Sequence, residues 1–460
     1  MTSAPCDPVL IIGGGISCLC LAQGLKKLNV PFKVFERNAE TAARAQGYRV
    51  RLLDGVEVIE EVTPAPISAL FKATTAVFEF GVHKYNAITR EIRAFTEAGG
   101  MDQAPVGMRP HLTSPDVGGS PHAAASVDRR VLRDVPMTGI GEHVLFGKTY
   151  SHFETDDDRT CVTAYFTDGQ HVPDHVMLDT GYGGFYGKTP LTAELRDIFD
   201  RNTALRGLVV VSDTQTLSTP LNLLMGEMVW SSESRSNDAL VAVPKDYIYW
   251  VLLSERASLP YLEEELEGRV RSGDAAAQAT VDLTKGWTAE LRKIIACQAP
   301  QKTSYISVHS ASPNMVAWRP SRCVTLVGDA VHGMPPFAAL GANTALRGAQ
   351  MLCRVIERHG VEGLTEDIIG LFEEELRVLA VEKIEQSFES GQVAFRLKSP
   401  GPGIERSWEI GPRGKLDMGV SNRSLAAFAW PWSLYIIKTR LLAPPSPTLS
   451  NICIILVGQK

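Results

Sequence analysis

The residues best suited to chemistry in this 460-residue chain lie in two glycine-bearing segments. The first is Gly13-Gly14-Gly15, set directly after the apolar run Pro8–Ile12 and before Leu21, Leu25 and Leu28 at helical spacing. Glycine at 13 permits a tight turn. Glycine at 15 removes the side chain that would hold a pyrophosphate away from backbone N–H groups and from the positive end of the following helix. A second apolar run, Phe32–Phe35, ends in Glu36, whose carboxylate stands where ribose hydroxyls are bonded in a dinucleotide fingerprint. The order strand, glycine turn, helix, strand, acid makes one βαβ unit, written G-x-G-x-x-C because Cys18 replaces the usual third glycine.

The second segment follows another buried run, Cys323–Val327. It reads Gly328-Asp329-Ala330-Val331-His332-Gly333-Met334-Pro335-Pro336, then Gly341-Ala342-Asn343, with Leu346, Ala349, Leu352 and Ile356 on one helical face. A helix starting near Ala342 offers unpaired N–H groups and partial positive charge to an anionic ligand. This strand–loop–helix resembles the FAD-dependent aromatic hydroxylases, flavoprotein monooxygenases typified by p-hydroxybenzoate and salicylate hydroxylases, in the manner of a fungal or actinomycete secondary-metabolism member. The resemblance covers roughly residues 8–395. It implies that Asp329 bonds the ribityl chain of FAD, that Pro335 and Pro336 shape the cavity beside the flavin ring, and that Gly341 and Ala342 lie under its pyrimidine. It also implies a flavin-facing strand in Arg44–Leu52, with Gly47 where the backbone meets the cofactor, and an arginine, Arg129 in Val127–Arg133, reaching FAD from a helix start.

Those residues need elements to hold them. The expected fold class is α/β: a Rossmann-like FAD-binding domain, a parallel sheet with helices, plus an inserted mixed β-sheet substrate domain. Residues 1–80, 120–180 and 320–395 are assigned to the FAD-binding domain, 81–119 and 185–319 to the substrate layer, and 396–460 to a C-terminal helix or tail, partly irregular. Strand-like runs are Leu208–Ser212, Leu240–Pro244 and Tyr247–Leu253; helical ones are Ala289–Ala296 and Glu366–Glu389. Phe166–Gln170 reads as a hairpin turn, and Leu441–Lys460 as a proline-bearing linker and a tail without a fold signature.

The family chemistry implied is monooxygenation: NAD(P)H (NADPH or NADH) reduces FAD, O2 is captured as a C4a-hydroperoxide, and one oxygen hydroxylates or epoxidises a hydrophobic, aromatic secondary metabolite. The cofactor supplies the hard step, so no triad is required. No residue supports assignment as a catalytic base. His332 is expected to make a structural hydrogen bond, and Tyr182, Tyr186, Tyr247 and Tyr249 fit a pocket or a core equally well. The family pattern breaks at Cys18, Ala338 and Gly348. It breaks again before Asp179–Thr192, where an Asp-Gly motif with a downstream Ser and Arg is missing. Two alternatives therefore stay open: a non-oxygenating FAD oxidoreductase, and an FAD-binding relative with impaired NAD(P)H use.

Composition sets the outer bounds. With 44% hydrophobic and 21% charged residues the chain is that of a folded globular protein, and a net charge of −6 without a basic stripe excludes nucleic acid as the expected partner. The partners expected are a small molecule and O2. The eight cysteines show no C-x-x-C pair, so reduced, buried thiols and no metal site are expected. No apolar run reaches the roughly 18 residues of a spanning helix; the nearest, Leu425–Ile437, contains Pro431 and Ser433. With no secretory signal at Met1–Pro8, the expectation is a cytoplasmic protein without stable membrane insertion.

Overall fold

Apolar runs too short for helices become strands here, and stretches with helical periodicity cover them. The computed structural model describes residues 8–39, 49–77, 82–94, 125–155, 162–167, 178–201, 207–236, 241–315, 317–395, 406–410, 416–420 and 453–456. The chain starts with β1 (Val9–Ile12), α1 (Ile16–Lys27), β2 (Phe32–Phe35), β3 (Arg49–Leu52), α2 (Gly55–Val62) and α3 (Ala65–Ala73). Next come β4 (Val82–Asn86), β5 (Ile92–Ala94), β6 (Ala125–Asp128), α4 (Arg129–Met137), β7 (Val144–Leu145), β8 (Thr149–Thr155), β9 (Val162–Thr167) and the long β10 (Leu178–Pro190). The middle of the chain supplies α5 (Ala193–Arg201), β11 (Leu208–Asp213), β12 (Leu221–Met228), α6 (Ser232–Ser236), β13 (Tyr247–Glu255), α7 (Glu263–Glu267), α8 (Gly273–Leu283), α9 (Ala289–Ala296) and β14 (Ser304–Ser310). The last elements are β15 (Val324–Val327), α10 (Asp329–His332), α11 (Gly341–His359), α12 (Glu366–Phe395), β16 (Arg406–Ile410), β17 (Leu416–Val420) and β18 (Cys453–Leu456).

Two sheets organise these elements into an α/β architecture. One has five strands in the order β15-β18-β1-β2-β7, with β1 and β2 parallel and β2 and β7 parallel. The other has seven, β14-β10-β13-β12-β11-β4-β5, antiparallel except for the β11–β4 pair. Strands β3 and β6 form a separate antiparallel pair.

The five-stranded sheet is buried because α1 lies on it. Every residue of α1 from Ser17 to Leu25 is buried, since α11, α4 and α2 pack around the side of α1 that the sheet does not cover. The central strands of the seven-stranded sheet are buried on both faces. Ile248, Trp250 and Leu252 of β13 join Leu283, Leu291 and Ile294 in one apolar core, with helices α8 and α9 as the cover. Trp250 is fully buried, and its indole N–H donates to Thr189 Oγ1 at 3.0 Å. Thr189 in turn donates to the carbonyl of Ile294 at 2.8 Å, so both the buried indole N–H and the buried hydroxyl are satisfied. Gly187 makes room for that indole: a Cβ there would stand 2.1 Å from its ring.

Three sequence expectations change. Residues 241–244 are irregular, not a strand; Pro244 in that run cannot donate to a ladder. The tail is not without structure, because Cys453–Leu456 forms β18 inside the five-stranded sheet. Cys18 is disulfide-bonded, whereas Cys20, Cys297, Cys323 and Cys353 are free; a disulfide needs only that two thiols meet in the fold, not a C-x-x-C spacing. The 168–170 part of the expected hairpin turn and the Leu425–Ile437 run lie outside the described residues. Among the described residues no helix is long and apolar enough to cross a membrane, and no group of His, Cys, Asp or Glu side chains is placed to hold a metal ion.

Candidate functional site

The first glycine segment is a turn locked from below. Gly13 has φ +110°, a conformation that an L side chain resists, and its N–H donates to the Phe35 carbonyl at 2.7 Å. The Gly14 N–H donates to Glu36 Oε2 at 2.8 Å, and Glu36 Oε1 accepts from the Asn38 N–H at 2.9 Å. Arg133 completes the clamp, donating from Nε to the Gly14 carbonyl at 2.9 Å and from Nη2 to Glu36 Oε2 at 3.1 Å. Glu36 is thus buried and already holds the turn. Gly15 precedes α1 in an extended conformation, and no side chain caps this helix N-terminus.

Arg133 was not singled out in the sequence, where Arg129 was. The two stand four apart on α4 and share a face. Arg129 is its first residue and half-buried, while Asp128 caps it by accepting from the Arg130 N–H at 2.9 Å. Burial lowers the Arg133 pKa, against the attraction of Glu36.

The second segment reaches the first. Gly328 has φ +68°, and a Cβ on it would stand 2.5 Å from Ser17 Oγ in the first turn of α1. Asp329, half-buried, opens the single turn of α10, and His332 at its end is fully buried. Neither ring nitrogen of His332 has a hydrogen-bond partner among the described residues, so the structural hydrogen bond expected of it is not made there. Burial lowers the His332 pKa, with Asp329 opposing, which favours the neutral imidazole. Gly341 begins α11, again without a side-chain cap, and Ala342 beside it is half-buried.

Asn343 ties these pieces together, a role that sequence reasoning missed because its partners are remote. Its Oδ1 accepts from the N–H groups of Leu53 at 2.8 Å and Gly55 at 3.1 Å. Its Nδ2 donates to the carbonyls of Arg51 at 3.1 Å and Ala339 at 2.8 Å. Gly47, just upstream of β3, lies outside the described residues. The proline loop is anchored from α12, where Ser387 Oγ donates to the Pro335 carbonyl at 2.6 Å.

One face of the seven-stranded sheet looks toward these loops. Phe337 packs there with Tyr182, Leu253 and Val308, while Tyr186, Tyr249 and Val251 belong to a second small cluster with Trp230 and Tyr247. Ionic groups are buried beside them. Asp128 Oδ2 accepts from Lys188 Nζ at 2.5 Å and from the Tyr247 hydroxyl at 2.8 Å. Burial works against the Asp128 carboxylate, but Lys188, Tyr247 and the capping N–H together bring its pKa below the usual range. Burial raises the Tyr247 pKa, and Asp128 raises it further. On β3, Arg49 and Arg51 are both buried, with Arg49 over the Tyr249 ring at 5.5 Å; burial, then the charge of Arg49, brings Arg51 down to about 10.

Two helix N-termini without a side-chain cap, and a buried imidazole without a hydrogen-bond partner among the described residues, fit a large anionic cofactor. Comparison with known proteins points the same way. Residues 243–367 match a family described as FAD binding domain. The chain is 31% identical over 429 residues to a dual O-methyltransferase/FAD-dependent monooxygenase of Cercospora beticola, covering 86% of this chain and 47% of that protein. The chain is a homologue of fungal FAD-dependent monooxygenases. An FAD-dependent monooxygenase of Trichoderma harzianum is 24% identical, over 78% of this chain and 85% of that one. The fold is that of a putative FAD-containing monooxygenase from Photorhabdus luminescens, with a TM-score of 0.64 at 22% identity, covering 85% of this chain and 98% of that one. This chain spans less than half the length of its dual-function relative.

Proposed function

We propose that this chain is an FAD-dependent monooxygenase that uses NADPH or NADH and O2 to hydroxylate or epoxidise a hydrophobic, aromatic secondary metabolite. The observation that carries the reading is the meeting of the two glycine segments, with Gly328 against Ser17 and Asn343 joining α11 to β3. In this reading the five-stranded sheet is the core of a Rossmann-like FAD-binding domain, and the seven-stranded sheet is a substrate layer inserted into it.

Gly13 would shape the turn, the N–H groups of Gly15 and the start of α1 would receive the pyrophosphate, Asp329 the ribityl hydroxyls, and the N-terminus of α11 at Gly341 and Ala342 the flavin pyrimidine. Arg129 and Gly47 complete the set that the family resemblance assigns. Glu36 would serve the adenosine ribose through the lone pairs it does not use on Gly14, Asn38 and Arg133. When bound, FAD accepts a hydride from the nicotinamide and activates O2 for transfer to the substrate. The chain's own contribution would be exclusion of water and orientation, for which Phe337 in one apolar cluster and Tyr186, Tyr249 and Val251 in the other supply apolar and aromatic side chains.

The visible spectrum of the purified protein, reconstituted with FAD, is expected to show flavin bands, and Gly15→Val is expected to remove them. Their absence in the native chain, or their persistence in the variant, would overturn the cofactor assignment. NAD(P)H consumption with candidate aromatics then separates the readings. A product one oxygen atom heavier marks the monooxygenase, and flavin reduction without such a product marks a non-oxygenating oxidoreductase.

A further inference from the structure

Strands β1 and β15 carry the two glycine segments at their C-terminal ends, yet they do not pair with each other. Each pairs with β18, which lies between them. Leu10, Ile11 and Ile12 stand opposite Leu456, Ile455 and Ile454 on one side. Val324, Thr325, Leu326 and Val327 stand opposite Leu456, Ile455, Ile454 and Cys453 on the other. Because β18 is antiparallel to both, β1 and β15 run the same way, two strand spacings or about 10 Å apart. Of the described strands in this sheet, β18 alone runs against β1; β2 and β7 run with it.

The position between β15 and β1 is therefore filled by a four-residue strand that is separated from α12 by residues 396–452, the remainder of the sheet being made of segments that precede α12. Without it, one backbone edge of Val9–Ile12 and one of Val324–Val327 would face a gap in the interior, where Val9, Ile11, Val324, Thr325 and Val327 are all buried. Unpaired backbone groups there are costly, so the gap would close or fill with water. Either outcome moves Gly13–Gly15 relative to Gly328–Asp329, whose fit depends on the close approach of Gly328 to Ser17.

We propose that the slot between β1 and β15 is a strand-acceptor site, and that residues 453–456 occupy it as a spacer that sets the distance between the two glycine loops. The site takes a short apolar segment through main-chain pairing, so a separate peptide of the same sequence is a competent occupant. The dependence of flavin retention on this spacer rests on the FAD reading above; the occupancy of the slot does not.

Backbone amide exchange on the full chain tests the occupancy without flavin. Ile454, Ile455 and Leu456 are expected to be protected alongside Val9–Ile12 and Val324–Val327. Exchange of 454–456 at the rate of an unstructured chain, with β1 and β15 still protected, would overturn the proposal. Ile455→Pro deletes a central N–H and is expected to lower protection of β1 and β15 roughly tenfold or more, and to release flavin. Thr448→Pro, in the stretch before the strand, is expected to change neither. A synthetic peptide spanning 451–458, added to the Ile455→Pro chain, is expected to restore both protection and flavin. Full flavin retention by Ile455→Pro after loss of β1 and β15 protection would sink the spacer role while leaving the FAD reading intact. A native chain that binds no flavin sinks the FAD reading, and the exchange pattern still decides the slot.

Discussion

The two faces of the seven-stranded sheet are built from the same strands and do opposite things. On one, Ile248, Trp250 and Leu252 meet helices α8 and α9 in a continuous apolar core, with the indole N–H satisfied by Thr189. On the other, Tyr247, Tyr249, Val251 and Leu253 fall into two smaller clusters, and beside them lie a buried ion pair and two buried arginines. A face packed by helices stores stability. A face left with aromatic rings, polar groups and a loop carrying Phe337 is one that a ligand can use.

If that division holds, Trp250→Ala removes the largest packing contribution on the closed face. A loss of about 4 kcal/mol of unfolding free energy is expected, read by chemical denaturation, with flavin stoichiometry unchanged in the protein that remains folded. Equal loss of flavin would break the contrast. On the open face, Asp128→Ala leaves Lys188 buried without its carboxylate and is expected to cost about 3 kcal/mol. The double variant Asp128→Ala/Lys188→Met is expected to recover much of this, and an additive double variant would show that the pair is not coupled.

A third test compares Asp128 with a buried carboxylate that has no lysine. Glu373 on α12 accepts from Thr325 Oγ1 at 2.8 Å, while neighbouring Arg377 pairs with Glu374. Burial pushes the Glu373 pKa from 4.5 up to about 7, with the Thr325 bond opposing. The native state then keeps a proton that the unfolded chain sheds, so this contribution to stability is whole below about pH 4.5 and is lost as pH rises through about 7. Glu373→Gln is expected to abolish that loss and to gain about 2–3 kcal/mol at pH 8, measured by denaturation across pH. Asp128, with its pKa depressed, must show the reverse: stability present above the ordinary carboxylate range and lost as pH falls through the depressed value. A flat profile for native and Glu373→Gln protein alike would remove the distinction.

Much of this arrangement was legible in residue order. The boundaries of β2 and α9, and the start of α11, follow from apolar spacing and local punctuation, which act over a few residues, whereas the start of α4 is implied by the family resemblance. The glycine-rich run after Leu178 was harder to read, since it becomes a thirteen-residue strand whose glycines lie beneath Trp250 and Tyr305 on the neighbouring strands. Arg133 on Glu36, Lys188 on Asp128 and Asn343 on Leu53 were not legible as pairs. Each joins segments whose proximity exists only after the sheets assemble, and polar residues that meet across such distances leave no periodic trace.

Asn343 has a further consequence. All four of its amide positions are engaged, two by the turn entering α2, one by β3 and one by the loop ending at Ala339. The N-terminus of α11 and the β3–α2 turn therefore travel as one solid block, with no hinge between them. A movement that parted them would have to break all four bonds at once, so displacement elsewhere in the molecule costs less.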